Sequence, residues 1–226
     1  MHTLFISKEV AETSVLRTFC EEYSITIHSH SFLTFQPIPL HWEITSHALF
    51  FTSKRAVSYF FNQYSSSPKW SIACVGQATA DEVLRRGLNV DFIASNSGKP
   101  TDVAHEVANW LAGKSITFVS ALKSINSIID LLPSSQVDQV AVYETQITPF
   151  QLHTSFDVYV FTSPSNLEGF LKANILPTAA KLIAWGETTA AAMREQGLEP
   201  LYTLKTSSEK ELVDYLLEIG SEISNE

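Results

Sequence analysis

The sequence lacks several things. No apolar run approaches the roughly 18 residues that a membrane span needs, so no membrane partner is expected. It has no cluster of lysine and arginine, and its aromatic residues are not interleaved with basic ones. Nucleic acid is therefore not an expected partner. The 15 Lys and Arg are outnumbered by 24 Asp and Glu, for a formal net charge of −9. Only two cysteines occur, Cys20 and Cys74, far apart and in apolar contexts, which reads as two reduced core thiols in a cytosolic protein. The opening MHTLFISKEV has no long apolar segment behind a basic end, so no signal peptide and a cytoplasmic location are expected. VGQATA and WGETTA lack G-x-G-x-x-G and the Walker lysine, and no G-x-S-x-G elbow exists. Asp and Glu form no recognisable glycosidase-like pair. His28 and His30 share one face of an extended stretch, but no Cys or carboxylate nearby completes a ligand set, so no metal is expected.

What is present is a chain of 226 residues, 45% hydrophobic, enough for one large domain or two small ones. It contains an internal duplication. With residue 51 opposite residue 161, no gap is needed as far as 88 opposite 198. Phe51, Thr52 and Ser53 then face Phe161, Thr162 and Ser163, and Phe60 faces Phe170. Gly76, Thr79 and Ala80 face Gly186, Thr189 and Ala190, and Gly87-Leu88 faces Gly197-Leu198. Two copies of one supersecondary unit follow.

Each copy reads as alternating strands and helices. The first runs HALFF, KRAVSYFFNQY, SIACV, TADEVLRRG, NVDFIA and TDVAHEVANWL, with Thr101 or Asp102 as the cap of its last helix. The second runs DVYVF, PSNLEGFLK, KLIAW, TTAAAMREQG, EPLYTL and SEKELVDYLLEI. A strand–helix pair precedes each copy: TLFIS with EVAETSVLRTFCEEY, and SITFVS with LKSINSIIDLL. Each pair leads into an alternating extended stretch ending at proline, SITIHSHSFLTFQPIP and DQVAVYETQITPF, which reads as a connector able to pair as a two-stranded link. The expected fold is α/β: two similar lobes, each a parallel sheet flanked by helices, joined by a two-stranded β-ladder hinge.

Ligands of open α/β sheets sit beyond the carboxyl ends of the strands, where the first amides of each helix are unpaired and carry partial positive charge. Both copies place hydroxyls there: Thr52, Ser53 and Thr79 in one, Thr162, Ser163, Thr188 and Thr189 in the other. Gly76 and Gly186 let the backbone come close to a ligand. Such corners bind anions without basic side chains. The expectation is a cleft between lobes, lined by amide and hydroxyl donors, for a molecule with several carboxylates or phosphates.

These stretches resemble those of the uroporphyrinogen-III synthase family: FFTSKRAV, CVGQATADEVLRRGL, VAVYET, VFTSPSNLEGF, AWGETTAAAMREQGLEP and TSSEKELVDYL. The resemblance spans nearly the whole chain. It implies two α/β lobes, one discontinuous: residues 1–30 plus 151–226, a linker of 31–40 and 139–150, and an inserted lobe of 41–138. It implies hydroxymethylbilane, a linear tetrapyrrole carrying eight carboxylates, as substrate, and no cofactor. It also implies a monomer, with transient contact with the upstream bilane-forming enzyme. Tyr143 in VYET is the family-matched acid, and Ser165 in FTSPS joins the candidate binding residues. Two places depart from the family's pattern. The first strand ends ISK rather than in Thr-Arg, making Lys8 a substitute cation, and TFVS leads into Ser120-Ala121-Leu122-Lys123 rather than Arg-Gly. The alternative reading is a non-catalytic two-lobed binder of a polycarboxylate metabolite.

Overall fold

A computed structural model describes residues 1–41, 43–64, 69–96, 98–124 and 127–223. In chain order the elements are β1 (Thr3–Ile6), α1 (Val15–Glu22), β2 (Thr26–Ser29), β3 (Leu33–Pro37), β4 (Ala48–Phe51), α2 (Lys54–Phe61) and β5 (Ser71–Cys74). There follow α3 (Gln77–Arg85), β6 (Phe92–Ile93), α4 (Pro100–Leu111), β7 (Ile116–Ala121), β8 (Val137–Ile147) and β9 (Val158–Phe161). The chain closes with α5 (Pro164–Leu171), β10 (Lys181–Ala184), α6 (Glu187–Glu195), β11 (Tyr202–Thr203) and α7 (Glu209–Ile223). Two compact units result, Met1–Thr34 with Gln146–Glu226, and Phe35–Thr145. No helix among the described residues is long and apolar enough to cross a membrane.

In the unit holding both termini, five strands run in the order β11-β10-β9-β1-β2, with every adjacent pair parallel. The strand VYVF is buried at all four positions, as a parallel strand covered on both faces must be. Its alternate residues serve different cores. Val158 and Val160 pack with Leu4, Ile6 and Ile183 under α1 and α7, while Tyr159 and Phe161 pack with Phe5 under α5 and α6. Phe5 is fully buried at the centre of the second cluster, with ring centroids 5.6–6.4 Å from Phe32, Phe156, Tyr159, Phe161 and Phe170.

The other unit repeats the plan in a six-stranded sheet, order β3-β8-β7-β4-β5-β6, parallel from β8 to β6. Leu49, Phe51, Ile72, Cys74 and Val119 face α2 and α3, whereas Ala48, Phe50, Ala73, Ile116 and Phe118 face α4. The two copies share even the burial pattern from residue 71 to 80 and from 181 to 190, apart from the first strand residue, exposed at Ser71 and half-buried at Lys181.

Three local expectations change. The alternating stretches are sheet strands rather than bare connectors: β2 pairs with β1, and β8 pairs with β7. β2 alternates because it is an edge strand whose outer positions remain exposed. LKSINSIIDLL forms no α-helix among its described residues; a single 3-10 turn covers Ile129–Leu131, and 125–126 lie outside the described residues. Its serines, asparagine and β-branched isoleucines are poor helix formers, and Pro133 follows at once. Helix α4 is capped by Lys99 with Pro100 at its first position, not by Thr101 or Asp102, because proline is pre-set for that position and needs no N–H there.

Helix α5 carries a glycine in its middle, which an isolated helix would disfavour by about 0.5–1 kcal/mol. The cause is tertiary. A Cβ on Gly169 would lie 2.5 Å from Phe32 Cβ and 3.1 Å from Ile147 Cγ2. Gly169→Ala should therefore destabilise this unit by about 1–3 kcal/mol, the usual cost of overpacking. Urea unfolding followed by aromatic circular dichroism measures it, and an unchanged midpoint would refute the contact's role.

Candidate functional site

In each unit two strand-to-helix corners lie side by side, because the strands that feed them are paired in register. Phe51 pairs with Cys74, so Thr52-Ser53 and Val75-Gly76 leave the sheet together. Phe161 pairs with Ala184, so Thr162-Ser163 and Trp185-Gly186 do the same. The N–H of Val75 donates to the carbonyl of Phe51 at 3.0 Å, and that of Trp185 to Phe161 at 2.9 Å, closing both pairs.

In the unit of residues 35–145, Ser53 is extended and its Oγ accepts from the Ala56 N–H at 3.0 Å, capping α2. Thr52 Oγ1 donates to the Val119 carbonyl at 3.2 Å. The Tyr143 hydroxyl lies 3.5 Å from Ser53 Oγ, at the outer limit of a hydrogen bond. Its buried ring stacks on Tyr59 with centroids 5.4 Å apart, and the Tyr59 hydroxyl donates to the Phe35 carbonyl at 2.9 Å. The Arg55 guanidinium lies 3.3 Å from the Phe35 ring centroid and 5.8 Å from that of Tyr143. Arg55 is exposed and has no ion-pair partner among the described residues. Its charge is thus held on aromatic faces beside the Ser53 corner, with no carboxylate to neutralise it.

In the unit holding the termini, Ser163 Oγ accepts from the Asn166 N–H at 3.2 Å and caps α5. The residue after the neighbouring strand β1 is Ser7, whose Oγ accepts from the Thr162 N–H at 2.8 Å, while Thr162 Oγ1 donates to the Ser7 carbonyl at 2.9 Å. Asn166 is the buried keystone of this corner. Its side-chain nitrogen donates to Ser163 Oγ at 3.1 Å, and its oxygen accepts from the Phe32 N–H at 2.9 Å.

The glycine corners differ in kind. Gly76 and Gly186 cap α3 and α6 without any side-chain acceptor. Thr79 and Thr189 are 5% and 4% exposed. Neither hydroxyl has a hydrogen-bond partner among the described residues, yet Arg17 Nε is the only sealed side-chain polar atom among them without a hydrogen bond. The Thr79 and Thr189 hydroxyls therefore open to the surface as free donors, next to helix termini that favour negative charge. The threonines of the first corners have spent their hydrogens on carbonyls; those of the second corners have not.

Two carboxylates tie down the loops that follow the last strand of each copy. Glu211 accepts from the N–H groups of Lys205 and Thr206, both at 2.7 Å, and from the Thr206 hydroxyl at 2.6 Å. The loop includes Ser207, a non-glycine residue at φ 50° whose Oγ would be 3.1 Å from a Cβ on Gly186. That conformation costs about 1–2 kcal/mol. Glu106 holds Ser95 in the same way, through the Ser95 N–H at 2.8 Å and the Ser95 hydroxyl. Both carboxyls lie below the usual carboxylate range. The Lys205 N–H is the largest cause for Glu211, and the Ser95 hydroxyl for Glu106.

The structure thus brings Tyr143 and Ser53 together, and sets Thr52 and Ser53 beside Gly76 and Thr79. Likewise it sets Thr162, Ser163 and Ser165 beside Gly186, Thr188 and Thr189. Lys8 is not a free cation: its Nζ pairs with Glu209 Oε1 at 2.7 Å and sits 4.4 Å from the Trp185 ring centroid. Arg55, Ser7, Asn166 and Ser207 escaped the reading from sequence. Arg55 could have been found as the second residue after a capping serine, and Glu211 from the S-x-x-E spacing with Ser208.

The uroporphyrinogen-III synthase HemD family profile matches residues 15–214. Uroporphyrinogen-III synthetase from Helicobacter pylori superposes with a TM-score of 0.74 at 21% identity, covering 97% of this chain and 100% of its own. A mutant uroporphyrinogen III synthase from Thermus thermophilus superposes with a TM-score of 0.59 at 14% identity, covering 100% of both chains. No curated protein sequence matches the chain.

The depressed carboxyls give a pH dependence of known sign. Their contribution to stability is complete above the unfolded-state value of about 4.3 and is lost as pH falls through the lower folded-state values. Denaturant midpoints should be flat from pH 7 to about 5 and fall below it. Glu211→Gln should remove part of that fall; an identical acid limb in the variant would show that Glu211 does not anchor the loop.

Proposed function

The chain belongs to the uroporphyrinogen-III synthase family, and from that membership we propose how its corners carry out the family's reaction. The enzyme cyclises hydroxymethylbilane with loss of water and inversion of the terminal ring, a step of tetrapyrrole and heme biosynthesis. The terminal hydroxymethyl group leaves as water, its carbon–oxygen bond broken by electron donation from its own pyrrole nitrogen. The resulting electrophile is attacked by the far ring at its already substituted carbon. The spiro intermediate fragments and recloses with that ring inverted.

This chemistry needs a proton at the departing oxygen and control of shape. Tyr143 is the proposed acid: its phenol carries a hydroxyl hydrogen to donate, and its ring is braced by Tyr59 with the hydroxyl 3.5 Å from Ser53 Oγ. Carboxylates of the substrate are proposed to meet Ser53, Thr79 and the Gly76 corner in one unit, and Ser163, Ser165, Thr188, Thr189 and the Gly186 corner in the other. Thr52 and Thr162 shape the corners, since their hydroxyl hydrogens are engaged. Arg55 adds a free cation at the Ser53 corner. Helix-terminal donors contribute about 0.3–1 kcal/mol each when exposed and up to ~2 when partly buried, so several together reach the ~8 kcal/mol of micromolar binding. Uncatalysed closure gives the uninverted isomer, so positioning is the main catalytic contribution. The protein is proposed to act as a cytoplasmic monomer without a cofactor, in transient contact with the enzyme that makes its bilane.

One observation carries the residue assignment: buried threonines with free, accessible hydroxyls recur at matching corners of both copies. A non-catalytic binder finds no support in this family. The experiment is to supply hydroxymethylbilane, oxidise the product and resolve the porphyrin isomers. Type III above the spontaneous background is expected. Tyr143→Phe should lower turnover by at least about tenfold with little change in KM, and a loss below about fivefold would exclude it as the acid. Thr189→Val should raise KM by about tenfold to a hundredfold, the value of one hydrogen bond to a charged group; an unchanged KM would remove Thr189 from the site.

A further inference from the structure

At the opposite ends of the strands in the unit of residues 35–145 lies a cavity of about 290 Å³. It opens where β4 and β5 begin, since Ala48 and Ser71 are paired first residues of those strands. The last turn of α4 covers it with Trp110 and Leu111, and the rim carries His47, Lys69 and Lys114. No acidic side chain among the described residues lines it. Neither Lys69 nor Lys114 has an ion-pair partner among the described residues, in a chain with 24 acids and 15 bases.

We propose that this hollow binds a small aromatic anion, a single flat ring bearing carboxylate or phosphate groups, at a place separate from the reaction site. Charge and shape both point that way. Lys69 and Lys114 come from different segments and converge with the exposed His47 on one hollow. Lys114 alone would be accounted for by the negative end of α4, where it follows the left-handed Ala112 and Gly113; Lys69 and His47 would not. Trp110 supplies an indole whose plane is fixed by stacking on Phe92, with centroids 5.2 Å apart at 25°. Hydrogen bonding of His47 Nδ1 with Ser115 Oγ at 2.9 Å orients the imidazole. The volume lies at the small end of ligand sites, room for one ring rather than a tetrapyrrole. The cationic hollow also belongs to one copy alone. At the matching positions the other copy has Asp157 in place of His47 and Ala179 in place of Lys69, and Asp157 binds the N–H groups of His2 and Thr3.

Isothermal titration of the full chain with phthalate, and separately with inorganic phosphate, tests the proposal. Phthalate should saturate one site near millimolar concentration and bind at least about fivefold tighter than phosphate. The double variant Lys69→Gln/Lys114→Gln should weaken phthalate about tenfold, two exposed ion pairs' worth, with thermal unfolding and bilane turnover unchanged. Trp110→Phe should weaken phthalate more than phosphate. No saturable heat below about 10 mM, or phthalate binding indifferent to the double variant, would overturn the site. Equal affinities for the two anions, unmoved by Trp110→Phe, would overturn the aromatic class of ligand.

Discussion

Parallel pairing of short strands is the constraint on which the rest depends. A parallel strand must return to the same edge before its neighbour begins, so every helix starts at the carboxyl edge of its sheet. Within each unit all the unsatisfied amide donors are thereby collected on one side. The strands are only four residues long at β1, β4, β5, β9 and β10, so the corners lie one short step from a fully buried core. That core fixes the corners. Phe51 and Phe161 are buried in full, and the residues that follow them are Thr52 and Thr162. The same arrangement that packs phenylalanine against helix brings the first amides of the helices to that edge, with the unengaged Thr79 and Thr189 hydroxyls beside them, and on these the proposed function has an acidic protein hold an acidic ligand. The overall field offers nothing, being screened beyond about 8 Å at physiological salt. In the proposed function, local donors and the guanidinium held over Phe35 do the binding.

Much of this was legible because duplication doubles the signal. Residues that agree between copies, such as Thr79 with Thr189 and Gly76 with Gly186, mark positions where the fold and the site make the same demand twice. Buried strand runs such as ALFF and VYVF could be read as parallel strands from composition alone. Hydrogen-bond direction could not be read. Thr52 and Thr79 look alike in sequence, and only coordinates reveal that the first gives its hydrogen to Val119 while the second keeps it. Lys8 reads in sequence as a substitute cation, with nothing to show its pairing, because its partner, Glu209, lies 201 residues away. Arg55 is hidden in the sequence for the converse reason: what makes it notable is that it has no ion-pair partner among the described residues, which no sequence displays. The stretch after β7 reads as a helix because its apolar content outweighs its serines, asparagine and β-branched isoleucines, but the fold forms no α-helix there among the described residues.

The two copies are not equally elaborated. In the copy at 161–198 the first corner is knitted by Ser7, Asn166 and Ser163 into a network with few spare hydrogens. In the copy at 51–88 the matching corner has Arg55 where the other has Ser165, and Tyr143 fills the space beside the capping serine. One copy is thus stiffened by neutral hydrogen bonds, the other equipped with a charge and a phenol. That division suits a reaction in which one part of a long substrate is held while another rearranges.

The loops pinned by Glu106 and Glu211 show where the copies drifted apart. Glu211 acts from the first turn of its helix and Glu106 from the middle of its own, so the same fastening was reached from two non-equivalent positions. The two copies keep the same buried positions in the interior, though often with different residues, such as Leu49 and Tyr159, and each half fastens its loop with its own latch. A lesion at one latch has no counterpart in its twin, and each flank of the enzyme can be retuned by selection without disturbing the other.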